Sequence, residues 1–286
     1  MSDSRLAAAV AAGEALGTGI GGRSAVLDVD GVRVFVKRVP LTDLEARHPG
    51  STANLFALPL FFQYGIGSAG FGAWRELAAH RMTTAWVRSG AHGAFPELYH
   101  WRVLPDSPPA GMYDEFGGLD RAVAFWDGSA AVRTRLTAIS EATASVVLFL
   151  EYVPWTLDAW SRANPAARLD GIEAQLTATT EFLSARGFVH FDAHFGNVLT
   201  DGERLRFADF GLATSTAFTL SAEETRFLTG HLRYDHACVV TELVTRARDR
   251  PDPTGIVARH GPTAAALLDF RRRVTDDKRV RFALPG

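Results

Sequence analysis

Two runs rich in β-branched residues, 25–29 and 32–37, flank Asp30-Gly31, a dipeptide that favours a two-residue hairpin turn, and they predict a hairpin with Lys37 late on its second strand. Upstream, residues 6–12 read as a short helix. Residues 74–87 predict another helix: Leu77, Arg81 and Thr84 share one face, while Trp74, Ala78, Met82 and Ala85 share a more apolar one. Residues 95–104 suggest a strand, 105–118 a loop rich in Pro and Gly, and 120–141 a helix. The apolar run 146–150 predicts a strand, closed by Pro154. Beyond it helical patterns dominate, at 156–163, 169–186, 226–245 and 263–273.

Residues 40–70 interrupt this order with Pro40, Pro49-Gly50, Pro59, Gly65, Gly67 and Gly70, yet they carry Phe56, Phe61, Phe62 and Tyr64. Flexible linkers are poor in aromatics, so the segment is expected to be ordered. It reads as an extra packing layer, or as a cover over a ligand or a surface for a partner.

A length of 286 residues and 47% hydrophobic residues suffice for a large core in one or two units. The formal charge of −2 gives no electrostatic reason to expect nucleic acid or a membrane surface. No apolar window reaches the length of a membrane span, and the N-terminal apolar run is too short and acid-flanked for a signal peptide. The single cysteine, Cys238, lies in an apolar run and reads as a core residue, so no internal disulfide can form. A soluble, cytoplasmic protein is expected. The basic run Arg271-Arg272-Arg273 reads as the solvated face of a terminal helix.

The chemistry concentrates in two runs. Phe188-Val189-His190-Phe191-Asp192-Ala193-His194-Phe195-Gly196-Asn197 is followed by Phe207-Ala208-Asp209-Phe210-Gly211-Leu212-Ala213. Carboxylates, an imidazole and an amide at such spacing suit phosphoryl transfer with Mg²⁺. Upstream, Leu16-Gly17-Thr18-Gly19-Ile20-Gly21-Gly22 places glycines where a backbone can fold over a phosphate. That spacing is weak alone and much stronger before a strand, an Asp-Gly turn and a strand bearing Lys37.

In these motifs and their order the chain resembles the protein-kinase superfamily, including its bacterial aminoglycoside-phosphotransferase-like branch, over residues 13–245. The resemblance implies an α+β, bilobal protein-kinase-like fold. Residues 1–150 would form an N-lobe with an antiparallel sheet and a helix, and 151–286 a mainly α-helical C-lobe. It further implies ATP and Mg²⁺ as cofactors. Gly17, Gly19, Gly22, Lys37 and the hinge residues Glu151 and Val153 would bind nucleotide, and Lys37 would pair with a helix glutamate, Glu76 in preference to Glu45. Asp192 would orient the acceptor hydroxyl, and Asn197 and Asp209 would hold Mg²⁺. His194 stands where protein kinases usually place a lysine near the γ-phosphate, as in the small-molecule phosphotransferases, and would partly replace it or brace the loop. His190 would hydrogen-bond backbone near Asp209, and a zinc site from His190, Asp192 and His194 is rejected because the kinase motifs explain all three. Phe191 replaces the arginine that gathers a phosphorylated activation loop, which argues against such control. Asp235 would anchor the catalytic loop, and Ser221-Ala222-Glu223-Glu224 is a loose echo of an A-P-E segment. The implied activity is transfer of the γ-phosphate to a hydroxyl, with a Ser or Thr of a protein or peptide ahead of a small antibiotic or metabolite. A peptide-modifying biosynthetic kinase is a variant of the first, and a pseudokinase scaffold the reading from a different class.

Overall fold

The hairpin forms as its turn dipeptide requires. In the computed structural model, which describes residues 2–19, 22–65, 67–108, 111–165, 168–248 and 255–284, Asp30 (φ 53°) and Gly31 (φ 82°) are both left-handed. That is the backbone of a two-residue turn matched to strand twist, and it pairs Val29 with Val32. Helix α1 (Asp3–Ala11) precedes β1 (Glu14–Gly19), β2 (Gly22–Val29) and β3 (Val32–Leu41). Then come α2 (Asp43–Ala46), α3 (Ala73–Arg88), β4 (Leu98–Pro105), α4 (Leu119–Phe125), α5 (Ala130–Ser140) and β5 (Ala144–Glu151). The five strands form one antiparallel sheet in the order β1-β2-β3-β5-β4, with Lys37 opposite Leu148.

The unbroken apolar run of β5 follows from helices covering both faces of the sheet. Val146, Leu148 and Leu150 face Trp74 and Leu77 of α3, whereas Val147 and Phe149 pack with Leu6 and Val10 of α1. Alternate side chains of one strand thus enter two cores, so neither parity is polar.

The second half is mainly helical. Short β6 (Trp155–Thr156) leads into α6 (Leu157–Ala163) and α7 (Leu169–Ala185). Short strands β7 (Phe188–Val189), β8 (Val198–Thr200), β9 (Leu205–Phe207) and β10 (Thr214–Ser215) frame the loop bearing Asp192 and the one bearing Asp209. Helices α8 (Ala222–Gly230), α9 (Tyr234–Ala247) and α10 (Ile256–Asp276) complete the chain, and Leu176, Leu183, Val240, Leu243 and Leu267 lie in their common core. The architecture is therefore α+β. No helix among the described residues is long and apolar enough to cross a membrane.

Three expectations are corrected. The helix read at 120–141 is two helices, because Asp127 (φ 59°) and Gly128 (φ 64°) turn the chain left-handed and Ser129 then caps α5, its hydroxyl accepting from Val132 N. The helix read at 226–245 is also two. The first starts earlier, at a capping box in which Ser221 and Glu224 satisfy each other's backbone N–H groups, and it ends before His231. The terminal basic run is not uniformly solvated: Arg272 and Arg273 are exposed, but Arg271 is half-buried with its guanidinium 3.6 Å from Cys238 Sγ.

The aromatic insert packs on both halves. Leu58, Phe62 and Phe71 form a third core with Val123, Trp126 and Leu136, where Phe62 meets Trp126 edge-on at 4.7 Å. Tyr64 is carried into the helical core and donates its hydroxyl proton to His231 Nε2 at 2.8 Å. The partner at that nitrogen is fixed because His231 Nδ1 donates to the Phe227 carbonyl.

Candidate active site

Lys37 stands on β3 with its ammonium 2.7 Å from Glu76 Oε1 and 2.7 Å from Asp209 Oδ1. The choice between Glu76 and Glu45 is settled by what Glu45 already holds. Its carboxylate takes Arg135 at 2.7 Å, the Ala73 N–H at 2.8 Å and the Thr42 cap at the start of α2. Burial opposes a charge on Lys37, but Asp209 and Glu76 more than offset it and raise its pKa. Desolvation in the cleft opposes ionisation of Asp209, although its side chain is 47% exposed, yet the Lys37 charge and hydrogen bond bring that carboxyl down to about 2. Glu76 moves the other way, burial outweighing Lys37.

The Asp192 loop is shaped by Asp235, whose carboxylate accepts the backbone N–H of His190 at 2.6 Å and of Phe191 at 2.9 Å. Those bonds hold Phe191 in a left-handed conformation (φ 65°), with its ring stacked on Phe227 and edge-on to Tyr64. His190 Nε2 donates to the Ala208 carbonyl at 2.9 Å, and its Nδ1 accepts from Asp192 N. Both ring nitrogens are therefore occupied within the loop, tying the Asp192 and Asp209 segments together. His194 Nδ1 accepts from Gly196 N at 3.0 Å, which directs Nε2 to Asp192 Oδ2 across 3.7 Å. The Asp192 carboxylate raises the pKa of that imidazole. His194 thus braces the loop and faces the carboxylate at once.

Asn197 donates its amide N–H to Asp192 Oδ2 at 2.9 Å, which leaves its amide oxygen available. Asp209 uses Oδ1 for Lys37, which leaves Oδ2. Two hard oxygens on one cavity wall suit Mg²⁺, which takes few protein ligands and completes its shell with water and phosphate. Among the described residues no group of three His, Cys, Asp or Glu side chains is gathered for a metal.

Two cavities meet at Lys37 and Asp209. The first, about 500 Å³, is lined by Gly17, Gly22, Phe35 and Leu150, by the connector Glu151-Tyr152-Val153-Pro154, and by Asn197. Gly17, Gly22, Glu151, Val153 and Asn197 of the sequence-derived set therefore share it with Lys37 and Asp209. Gly19 ends β1 opposite Gly22, while Ile20 and Gly21 lie outside the described residues. Gly22 also has a packing reason: at φ 122°, a β-carbon there would overlap the Arg38 carbonyl. The second cavity, about 300 Å³, contains Asp192, His194 and Glu76. Its other walls include the insert with Gly65, Gly67, Ser68, Ala69 and Gly70, then Gly72, and Arg135 and Ile139 of α5.

No protein-family model matches the chain, and no curated protein matches it.

Sequence reasoning missed that glycine segment and Arg135 as site residues. The spacing Gly65, Gly67, Gly70, Gly72 directly before α3 was the available signal. It missed His80 as well, which reaches the first cavity from α3 with only 1% exposure and no hydrogen bond at either ring nitrogen. Burial and the nearby Lys37 charge push that imidazole down to about 3, so it is neutral. Its ring packs edge-on to Phe210 at 4.9 Å.

The insert also pins the segment after Asp209. Gln63 donates to the Leu212 carbonyl, Thr52 Oγ1 accepts from Thr219 N at 2.8 Å, and Arg75 meets Glu224 at 2.6 Å.

Proposed function

We propose that this chain is an ATP- and Mg²⁺-dependent phosphotransferase that moves the γ-phosphate to a hydroxyl, on a bilobal protein-kinase-like fold with lobes 1–150 and 151–286. The observation that carries the reading is the ion triad Glu76–Lys37–Asp209 at the seam of two cavities, in which Glu76 and Lys37 are buried and Asp209 is exposed to the cleft, with Asp192 on the far side of the seam. The first cavity would take the nucleotide between the β1–β2 strands and the Glu151–Val153 connector. Lys37 would neutralise phosphate charge, held in position by Glu76. Asn197 and Asp209 would hold Mg²⁺, which when bound offsets charge on the phosphate oxygens. Asp192 would orient the hydroxyl and receive its proton, with Asn197 and His194 fixing its carboxylate. Retention of Lys37, Asp192 and Asp209 in mutual register counts against a scaffold without catalysis.

For the acceptor, the motif Asp209-Phe210-Gly211-Leu212-Ala213 favours a Ser or Thr of a protein or peptide. Against that motif, the insert backbone lying on Asp192 and Gly211 narrows the approach and favours the other reading, a small molecule. The cytoplasm is the compartment proposed for either. A thermal shift with ATP and Mg²⁺ followed by an ATP-consumption assay tests the activity. Stabilisation by Mg·ATP with turnover is the expected result, and stabilisation without turnover in the presence of a cell extract would convert the reading to a binding scaffold.

A further inference from the structure

The insert does more than pack beside the Asp192 loop, since its backbone lies directly against the Asp192 carboxylate and the loop after Asp209. Gly65 lies over the Asp192 carboxylate so closely that a β-carbon there would come within 2.9 Å of Cγ and overlap Oδ1. Gly70 lies on Gly211, where a β-carbon would overlap the carbonyl oxygen. Gln63 holds the Leu212 carbonyl, and Gly67 abuts the Phe116 ring. The backbone of residues 63–65 and 67–70 therefore lies against the Asp192 loop and the loop after Asp209, and beside Asp192 is a cavity of about 300 Å³ whose lining also includes Arg135 and Ile139. That volume is at the small end of ligand sites.

Its charge is also defined. The Arg135 guanidinium is paired with Glu45 at 2.7 Å, and the Lys37 ammonium with Glu76 and Asp209. Asp192 and the exposed Glu115 add negative charge, and among the described residues Glu115 has no ion pair. His194 faces the Asp192 carboxylate across 3.7 Å, so the carboxylate left without a cation is Glu115, which would repel an anionic acceptor but not an uncharged or cationic one.

We infer that the second cavity is an enclosed acceptor site for a compact, uncharged or cationic hydroxyl-bearing small molecule, and that Gly65 is its specificity-determining residue. This rests on the phosphotransferase reading. The acceptor oxygen bonds to the γ-phosphorus as the bridging bond to ADP breaks, and the hydroxyl proton passes to Asp192 and on to water. Gly65 matters because any side chain there takes the volume beside the carboxylate that the hydroxyl must share. Its φ is not left-handed, so alanine at 65 meets no backbone strain, and its steric consequence falls chiefly on the Asp192 carboxylate, with a tight 3.3 Å approach to the Phe191 carbonyl.

The test uses the full chain, [γ-³²P]ATP with Mg²⁺, and an extract of the native cells split by ultrafiltration into small-molecule and protein fractions. Gly65→Ala probes the wall at Asp192, and Ser68→Leu fills the cavity from another side should the first variant fold poorly. Mg·ADP affinity of each variant reports on the fold and on the first cavity. The expected result is label in the small-molecule fraction only, lowered roughly a hundredfold by either variant with Mg·ADP affinity unchanged. Label in the protein fraction, or small-molecule label undiminished in both variants, overturns the inference. Failure of the unaltered chain to bind Mg·ADP would instead reject the phosphotransferase reading on which it rests.

Discussion

The two cavities share Lys37 and Asp209 but are built in opposite ways. The larger one is assembled from segments that each carry a local signature: the glycine strand pair, the Asp-Gly hairpin, the strand ending at Pro154, and the Asn197 and Asp209 motifs. The smaller one has a single such residue set, Asp192 with His194, and owes its remaining walls to an insert and to α5. The cavity proposed for nucleotide is thus encoded locally, while the cavity proposed for an acceptor is encoded by tertiary packing. Such a division lets loop and insert residues change without disturbing the ion triad.

The division can be broken by mutation. Asp192→Ala should lower transfer roughly a thousandfold while leaving nucleotide affinity unchanged, since Asp192 lines only the second cavity. Titration of Mg·ATP into the variant checks this, and a parallel fall in affinity would erase the distinction between the cavities. Lys37→Met acts at the seam and should damage both. It also leaves the buried Glu76 carboxylate without its cation, at about 3 kcal/mol of stability by urea unfolding. The double replacement Lys37→Met/Glu76→Leu should regain most of that stability and none of the transfer; a single variant as stable as the parent chain would show that the pair is not buried as described.

A smaller effect concerns the back wall of the first cavity. His80 is held neutral, its pKa pushed from 6.5 to about 3 by burial. Below pH 6.5 the unfolded chain takes up a proton that folded His80 refuses, so stability falls as pH drops. By pH 5 the single group contributes about 2 kcal/mol of that loss. His80→Leu should shrink the difference in unfolding free energy between pH 7 and pH 5 by this amount. An unchanged pH dependence would mean that His80 is hydrated or partnered in solution.

How much of this was legible follows the same line. The hairpin, α3 and β5 were readable because each depends on residues within a few positions of one another, and so was the placing of Lys37, Asn197 and Asp209 on one cavity. The preference for Glu76 over Glu45 was readable too, although its cause was not: Glu45 is occupied by Arg135, a residue 90 positions away. The breaks at Asp127-Gly128 and at His231 were missed because apolar periodicity runs across them, although Asp-Gly is itself a turn signal. Gly65 and Gly70 looked like loop punctuation. Their meaning lies in contacts with Asp192 and Gly211 that spacing along the chain does not express.

In the proposed reading Asp209, tied to Lys37, would present its remaining oxygen to Mg²⁺ at the phosphate end of the first cavity. Calorimetric titration of ATP with and without Mg²⁺ into the unaltered chain and into Asp209→Ala tests it most directly. The account predicts that Mg²⁺ strengthens ATP binding to the unaltered chain and that the variant loses this gain. Isotherms that do not respond to Mg²⁺ in the unaltered chain, or that respond equally in both, would contradict it.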